Sequence, residues 1–205
     1  MGVHRIRRKD MNINPVTFGK KIPIAKCHIK DVEQGKFVPA TFYEIDCTDI
    51  NDNNEIYDLK DWAFRITIAQ DIRNKYDYIQ KFGHPNSIRI FEMQTDEDKQ
   101  IVGLCDISDL FSRVNLDFIV SSPDKKHKYV GQSMIAILGD IANTYKHKKI
   151  YIPNPIKKAE EFYKNICGFK KCSDSEAMYM SKRHYTKFKK SVEQKTNSPI
   201  ISCTG

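Results

Sequence analysis

Asn154-Pro155-Ile156-Lys157-Lys158-Ala159-Glu160-Glu161-Phe162-Tyr163-Lys164-Asn165-Ile166-Cys167-Gly168-Phe169 is the stretch on which the reading of this sequence turns. Asparagine followed by proline predicts a helix start, with Asn154 as N-cap and Pro155 at the first helical position, where a missing N–H costs nothing. Ile156, Ala159, Phe162, Tyr163 and Ile166 then fall mostly at steps of three and four, so they share one apolar face. Gly168 is placed to end the helix. Upstream, Lys149–Ile152 reads as a short strand; downstream, 169–172 and 177–181 can close as a pair of strands.

Further upstream, Met134, Leu138, Ile141 and Tyr145 predict an amphipathic helix that begins near Gly131. Residues 115–121 read as a strand, and 87–93 with 101–107 as a hairpin around the polar turn 94–100. Leu59, Trp62, Ile66, Ala69, Ile72, Tyr76 and Ile79 predict a helix capped by Asp58 and ended by Gly83 and Pro85. The alternation over 41–47 predicts a strand before it. The order of elements predicts an α/β protein, one domain built on a mixed sheet with flanking helices. It should occupy 22–183, between a basic arm at 1–21 and a polar tail at 184–205.

The 205 residues are 40% hydrophobic and 29% charged, enough for one core. No run approaches the ~20 apolar residues of a membrane helix, and no apolar segment follows the basic start, so a cytoplasmic protein without membrane association is expected. Six cysteines show no C-x-x-C spacing. Free thiols and no metal site are the expectation. His28, His84, His127 and His147 lack ligand spacing and read as surface residues.

The net charge of +8 is unevenly placed. Residues 123–195 hold 17 Lys+Arg against 7 Asp+Glu, a net of +10, while residues 1–122 are slightly acidic. Such an excess fits an anionic ligand, either a phosphorylated cofactor or nucleic acid, or a solvated lysine surface. Within it, Lys128-Tyr129-Val130-Gly131-Gln132-Ser133 leaves a polar loop and enters a helix. Backbone N–H groups and the positive helix end there converge on one spot, a pocket suited to a pyrophosphate. Gly131 permits close approach, and small Ser133 leaves room.

Ala159-x-x-Phe162-Tyr163-x-x-x-x-Gly168-Phe169 resembles the signature of the GNAT acetyltransferase superfamily, and Lys128-x-x-Gly131-x-Ser133 is similar to that superfamily's cofactor loop. Asp117-Phe118-Ile119-Val120 resembles the strand that runs beside the pantetheine arm. Lys128 stands where Arg or Gln is usual, and Ser133 where Gly or Ala is.

The resemblance implies a mostly antiparallel GNAT-like sheet and N-acyl transfer from acetyl-CoA, as co-substrate and without a metal, to an amine by direct attack. It implies cofactor contacts at Val120, Lys128, Tyr129, Val130, Gly131, Gln132, Ser133 and Asn154. It makes Tyr163 the acid that assists the leaving thiolate. Asp117 is the candidate base, with a water relay as the competing route. Six acids between Glu44 and Asp58, with no Lys or Arg among them, fit either a cationic acceptor (a protein lysine, an N-terminus or a polyamine) or a solvated loop. An RNA-directed protein of the same fold and a non-catalytic CoA-binding module are the alternatives.

Overall fold

The computed structural model describes residues 21–45, 74, 88–110, 113–147 and 149–203. The N-terminal arm up to residue 20 and, apart from the helical Asn74, the helix expected over 59–79 lie outside them. The described chain forms β1 (Lys21–Asp31), β2 (Phe37–Ile45), β3 (Ile88–Thr95), β4 (Ile101–Leu110), β5 (Arg113–Ser121) and β6 (His127–Lys128). There follow α1 (Val130–Thr144), β7 (Lys149–Ile152), a 3-10 turn (Lys157–Ala159), a π-helix (Phe162–Cys167), β8 (Lys170–Lys171), β9 (Met178–Ser181), α2 (Lys182–Thr196) and β10 (Ile201–Ser202).

One sheet takes the order β10-β1-β2-β3-β4-β5-β7-β9-β8, and β6 also pairs with β1. Every ladder is antiparallel except β5–β7. That exception follows from connectivity: α1 is the crossover between these two strands, and a crossover returns the chain in the same direction.

The hairpin of β3 and β4, the strand β5 and the strand β7 lie where the sequence patterns predict them. β1 does not show in the pattern. Pro23 interrupts it, and its register against β2 shifts between Pro23 and Ala25, so its inward residues do not keep a period of two.

The segment expected as a polar tail is folded. Tyr185, Phe188, Val192 and Thr196 form a buried stripe along α2, which packs on α1, and β10 adds to the edge of β1. Its sequence is 15 residues of mainly charged and polar character, so the narrow apolar stripe is easily overlooked. With α2 on one side and the sheet on the other, α1 is buried nearly all round, including Ile135 and Ile137. Two glycines allow this sandwich. A Cβ on Gly103 would stand 2.5 Å from Met134 Sδ and 2.8 Å from Val130 Cγ1, and one on Gly139 would meet Tyr185 Cδ2 at 2.9 Å. Across the α1–α2 contact, Lys189 Nζ donates to Asp140 Oδ2 at 2.5 Å.

The 154–168 segment departs from the expected α-helix. Asn154 is exposed and caps nothing, since the cap of the 3-10 turn is Ile156, in an extended conformation with ψ 127°. From Phe162 the chain winds as a π-helix, and Gly168, at φ 81°, ends it with its N–H donated to the Tyr163 carbonyl.

Candidate active site

β5 and β7 part company soon after they meet. Their ladder joins only Val114 to Ile150 and Asn115 to Tyr151, while β5 runs on to Ser121. A bulge sharpens the divergence: Asp106 pairs with Phe118 and Ile107 with Leu116, which leaves Asp117 as the extra residue. The gap opens into a cleft of about 510 Å³. Ile119, Val120 and Ser121 line it from β5, and Tyr129, Val130, Gly131 and Gln132 from the start of α1, with His127 beside them. The opposite wall is Ile156, Lys158, Ala159, Phe162 and Tyr163.

At the start of α1, Tyr129 adopts φ 71° and its carbonyl accepts the Ser133 N–H at 2.8 Å. That is the first bond of the helix. The N–H groups of Val130, Gly131 and Gln132 therefore precede the intrahelical ladder, at the positive end of the helix dipole. Gly131 faces Phe162, and an added Cβ would sit 3.4 Å from the ring edge. A longer side chain there must enter the cleft or displace the ring.

Tyr163 is 7% exposed and held between the rings of Phe162 and Phe169, at centroid distances of 5.5 and 5.8 Å. Burial, with smaller contributions from Cys167 and Cys105, pushes its phenol up to about 12. The cleft thus offers backbone donors at one side, an apolar passage, and a phenol that keeps its proton at neutral pH. Such an arrangement receives an extended ligand with an anionic group and an uncharged arm.

Six of the expected site residues meet here: Val120, Tyr129, Val130, Gly131, Gln132 and Tyr163. Four do not line the cleft. Lys128 is exposed and pairs with Lys30 of β1. Ser133 is wholly buried, so its small size serves core packing. Asn154 is exposed, and Asp117 occupies the bulge, half-buried.

Sequence reasoning missed Ile119, Ser121, His127, Ile156, Lys158, Ala159 and Phe162 as lining residues. Ala159 and Phe162 belong to the motif already singled out, and their apolar spacing points equally to a core. Of the histidines expected at the surface, His127 lines the cleft, His147 is buried, and His28 Nδ1 is hydrogen-bonded to Ser198 Oγ at 2.6 Å.

No protein-family model and no curated protein matches the chain. Solved structures do. The spermidine N-acetyltransferase of Vibrio cholerae, in complex with CoA and spermine, is similar at a TM-score of 0.52 and 16% identity, covering 72% of this chain and 98% of that one. A protein of Exiguobacterium sp. 255-15 described as an acetyltransferase is similar at a TM-score of 0.52 and 12% identity, covering 72% and 97%. The chain has the GNAT fold, a large and mostly antiparallel sheet flanked by helices.

Proposed function

We propose that this chain is an N-acyltransferase that passes an acetyl group from acetyl-CoA to an amine. The observation that carries the reading is the cleft at the β5–β7 divergence, which sets the open N–H groups of α1 and the Tyr163 phenol around one apolar passage. The residues fit such a co-substrate. The N–H groups of Val130, Gly131 and Gln132 suit a pyrophosphate. Ile119, Val120, Ile156 and Ala159 suit an uncharged arm. The likeness in fold to an acetyltransferase seen with CoA and spermine supports the same reading.

Bound acetyl-CoA supplies the thioester: the amine nitrogen attacks its carbonyl, the C–N bond forms, the C–S bond breaks, and the sulfur leaves as thiolate. Negative charge grows on that sulfur, and Tyr163 donates a hydrogen bond to it. Complete transfer of the phenol proton is unfavourable, since a phenol near 12 faces a thiol near 8.5, a gap of about 5 kcal/mol. Tyr163 therefore acts as a donor that keeps its proton. The proton that the thiolate finally takes is the one released by the amine. Because Asp117 does not line the cleft, a water relay is the route for that proton.

The reading is tested by thermal shift and turnover. CoA should raise the melting temperature, because it binds only the native state, and Gly131→Glu should abolish the shift. Thiol release on a panel of amines separates an enzyme from a non-catalytic module. A native protein with no CoA shift overturns the reading.

A further inference from the structure

The sheet face turned away from α1 carries a side-chain cluster beside the cleft. In β7 the residues Ile150 and Ile152 are buried in the core with α1, as are Met178 and Met180 of β9. Strand alternation therefore sends Lys149, Tyr151, Tyr179 and Ser181 to the opposite face. Asn115 joins them, because it lies opposite Tyr151 and follows the core residue Val114; Arg113, just before Val114, does the same. Two rows result. Asn115, Tyr151 and Tyr179 form one, and Arg113, Lys149 and Ser181 form the other, about 7 Å back along the strands.

Both cations of the cluster rest on aromatic rings. The Arg113 guanidinium carbon stands 4.9 Å from the centre of the Tyr151 ring, and Lys149 Nζ stands 4.8 Å from that of Tyr179 and 5.8 Å from that of Tyr151. The two rings lie 6.1 Å apart, so they hold both charges near one spot. Neither cation forms an ion pair among the described residues. Arg89 shows the contrast: it also lies over a ring, that of Phe91, but Glu44 meets its guanidinium with two bonds of 2.6 Å. Asn115 adds a second sign of an absent group. It is 5% exposed and its Nδ2 donates to Ser108 Oγ at 3.3 Å, while Oδ1 is buried and accepts no hydrogen bond among the described residues. A buried acceptor left open is costly, and a donor that arrives with a ligand removes that cost.

The place of the cluster follows from the acyltransfer reading. The phosphates of the co-substrate lie at the start of α1, beyond the end of β5, and its arm runs back along Ser121, Val120 and Ile119. That direction leads to the point where β5 and β7 meet, at Asn115 and Tyr151. The thioester end therefore approaches the Asn115 row, and the two cations lie one row farther on. On the other side of Asn115, the buried Asp106 stands two residues along β4 from Ser108, on the same face. The cluster thus grades from a carboxylate and an amide near the cleft to two cations away from it.

We infer that this cluster is the acceptor subsite, and that the acceptor is a small amine carrying an anionic group, a carboxylate or a phosphate. The amine donates a hydrogen bond to Asn115 Oδ1, and Arg113 and Lys149 hold the anion, the arginine as a planar fork suited to either group. A polyamine would set its second ammonium against these two cations, so the same residues select against it. The inference rests on the acyltransfer reading and names the substrate class of that site.

The test follows thiol release by the full chain at saturating acetyl-CoA with two matched pairs, alanine against alaninamide and phosphoethanolamine against ethanolamine, and with spermidine beside them. The anionic member of at least one pair should exceed both its neutral counterpart and spermidine by about tenfold or more in kcat/KM. The pair that responds tells carboxylate from phosphate. The double variant Arg113→Gln/Lys149→Gln should bring that ratio close to one by raising the KM of the anionic acceptor, with the circular dichroism spectrum and the CoA thermal shift as in wild type. Asn115→Ala should lower kcat/KM for every acceptor. The inference is overturned, with the acyltransfer reading intact, if CoA shifts the melting temperature and thiol is released but a neutral amine or spermidine is the best acceptor. It is equally overturned if the double variant keeps the wild-type ratio, or if Asn115→Ala matches wild type. If no amine is turned over, calorimetry of the same compounds on the CoA-saturated protein decides, and failure of both anionic amines to bind overturns it. Absence of the CoA shift overturns the inference and the reading together.

Discussion

Tyr163 combines two roles that mutation can separate. Its ring is part of the Phe162–Phe169 aromatic cluster, and the residue also lines the cleft. Tyr163→Phe keeps the ring and removes the donor. Turnover should fall by about 10- to 100-fold, while CoA affinity by calorimetry changes little; full activity would return Tyr163 to the core. Asp117→Asn should leave kcat within a few-fold of wild type, because the residue lies outside the cleft, and a loss of two orders of magnitude would make it the base.

The buried thiols give a prediction of a different kind. Burial pushes Cys27 and Cys167 from 9.0 up to about 12, as it does Tyr163 from 10.0. A raised native pKa means that the unfolded chain loses these protons first. Their contribution is therefore complete below about pH 9 and is lost as pH climbs toward 12. At pH 10 each thiol should account for about 1 kcal/mol of lost stability. Urea unfolding at pH 8 and pH 10 measures it, and Cys167→Ala should make the decline shallower.

Elements differ in how far their residues announce them. The β3–β4 hairpin, β5 and β7 could be read because their apolar positions face a core without interruption. β1 hid behind Pro23 and its register shift, and α2 behind a surface rich in lysine. The cleft was half legible. Gly131 and Tyr163 sit in recognisable local patterns, but Ser121, Ile156 and Lys158 become neighbours only when β7 splays from β5, which no local pattern records. Ser133 shows the converse error, since small size serves core packing here as readily as ligand access. The part assigned to α2 is testable at its own scale. Phe188→Ala should destabilise the fold by about 3 kcal/mol, because the ring is buried in the cluster that covers α1; a negligible change in the denaturant midpoint would mean that α2 is ornamental.

Across the whole molecule, charge is divided between an acidic stretch leaving β2 and the basic last third. Asp49, Asp52 and Glu55 lie outside the described residues, so the prediction here is drawn from sequence. If the acceptor is cationic, changing all three to their amides should raise its KM severalfold at low ionic strength, on the order of 1 kcal/mol in total. kcat should hardly move, and the effect should fade with added salt. An unchanged KM at low salt, or a best acceptor that is neutral or anionic, would overturn that preference.

The margins of the sheet carry a last consequence. At one side, β1 is met by β10 at Ala25 and Lys26 and by β6 at Lys30 and Asp31. At the other, the terminal strand β8 is only two residues long, both of them lysine. A bare, flat strand is a template on which a second molecule can grow. Here two short patches drawn from distant parts of the chain cover one selvedge, and two lysines, Lys171 of them paired with Glu176, guard the other. Colloidal behaviour should therefore depend on the last few residues: a chain ending at Asn197 loses the β10 patch, and light scattering on warming should show it clumping earlier than the intact protein.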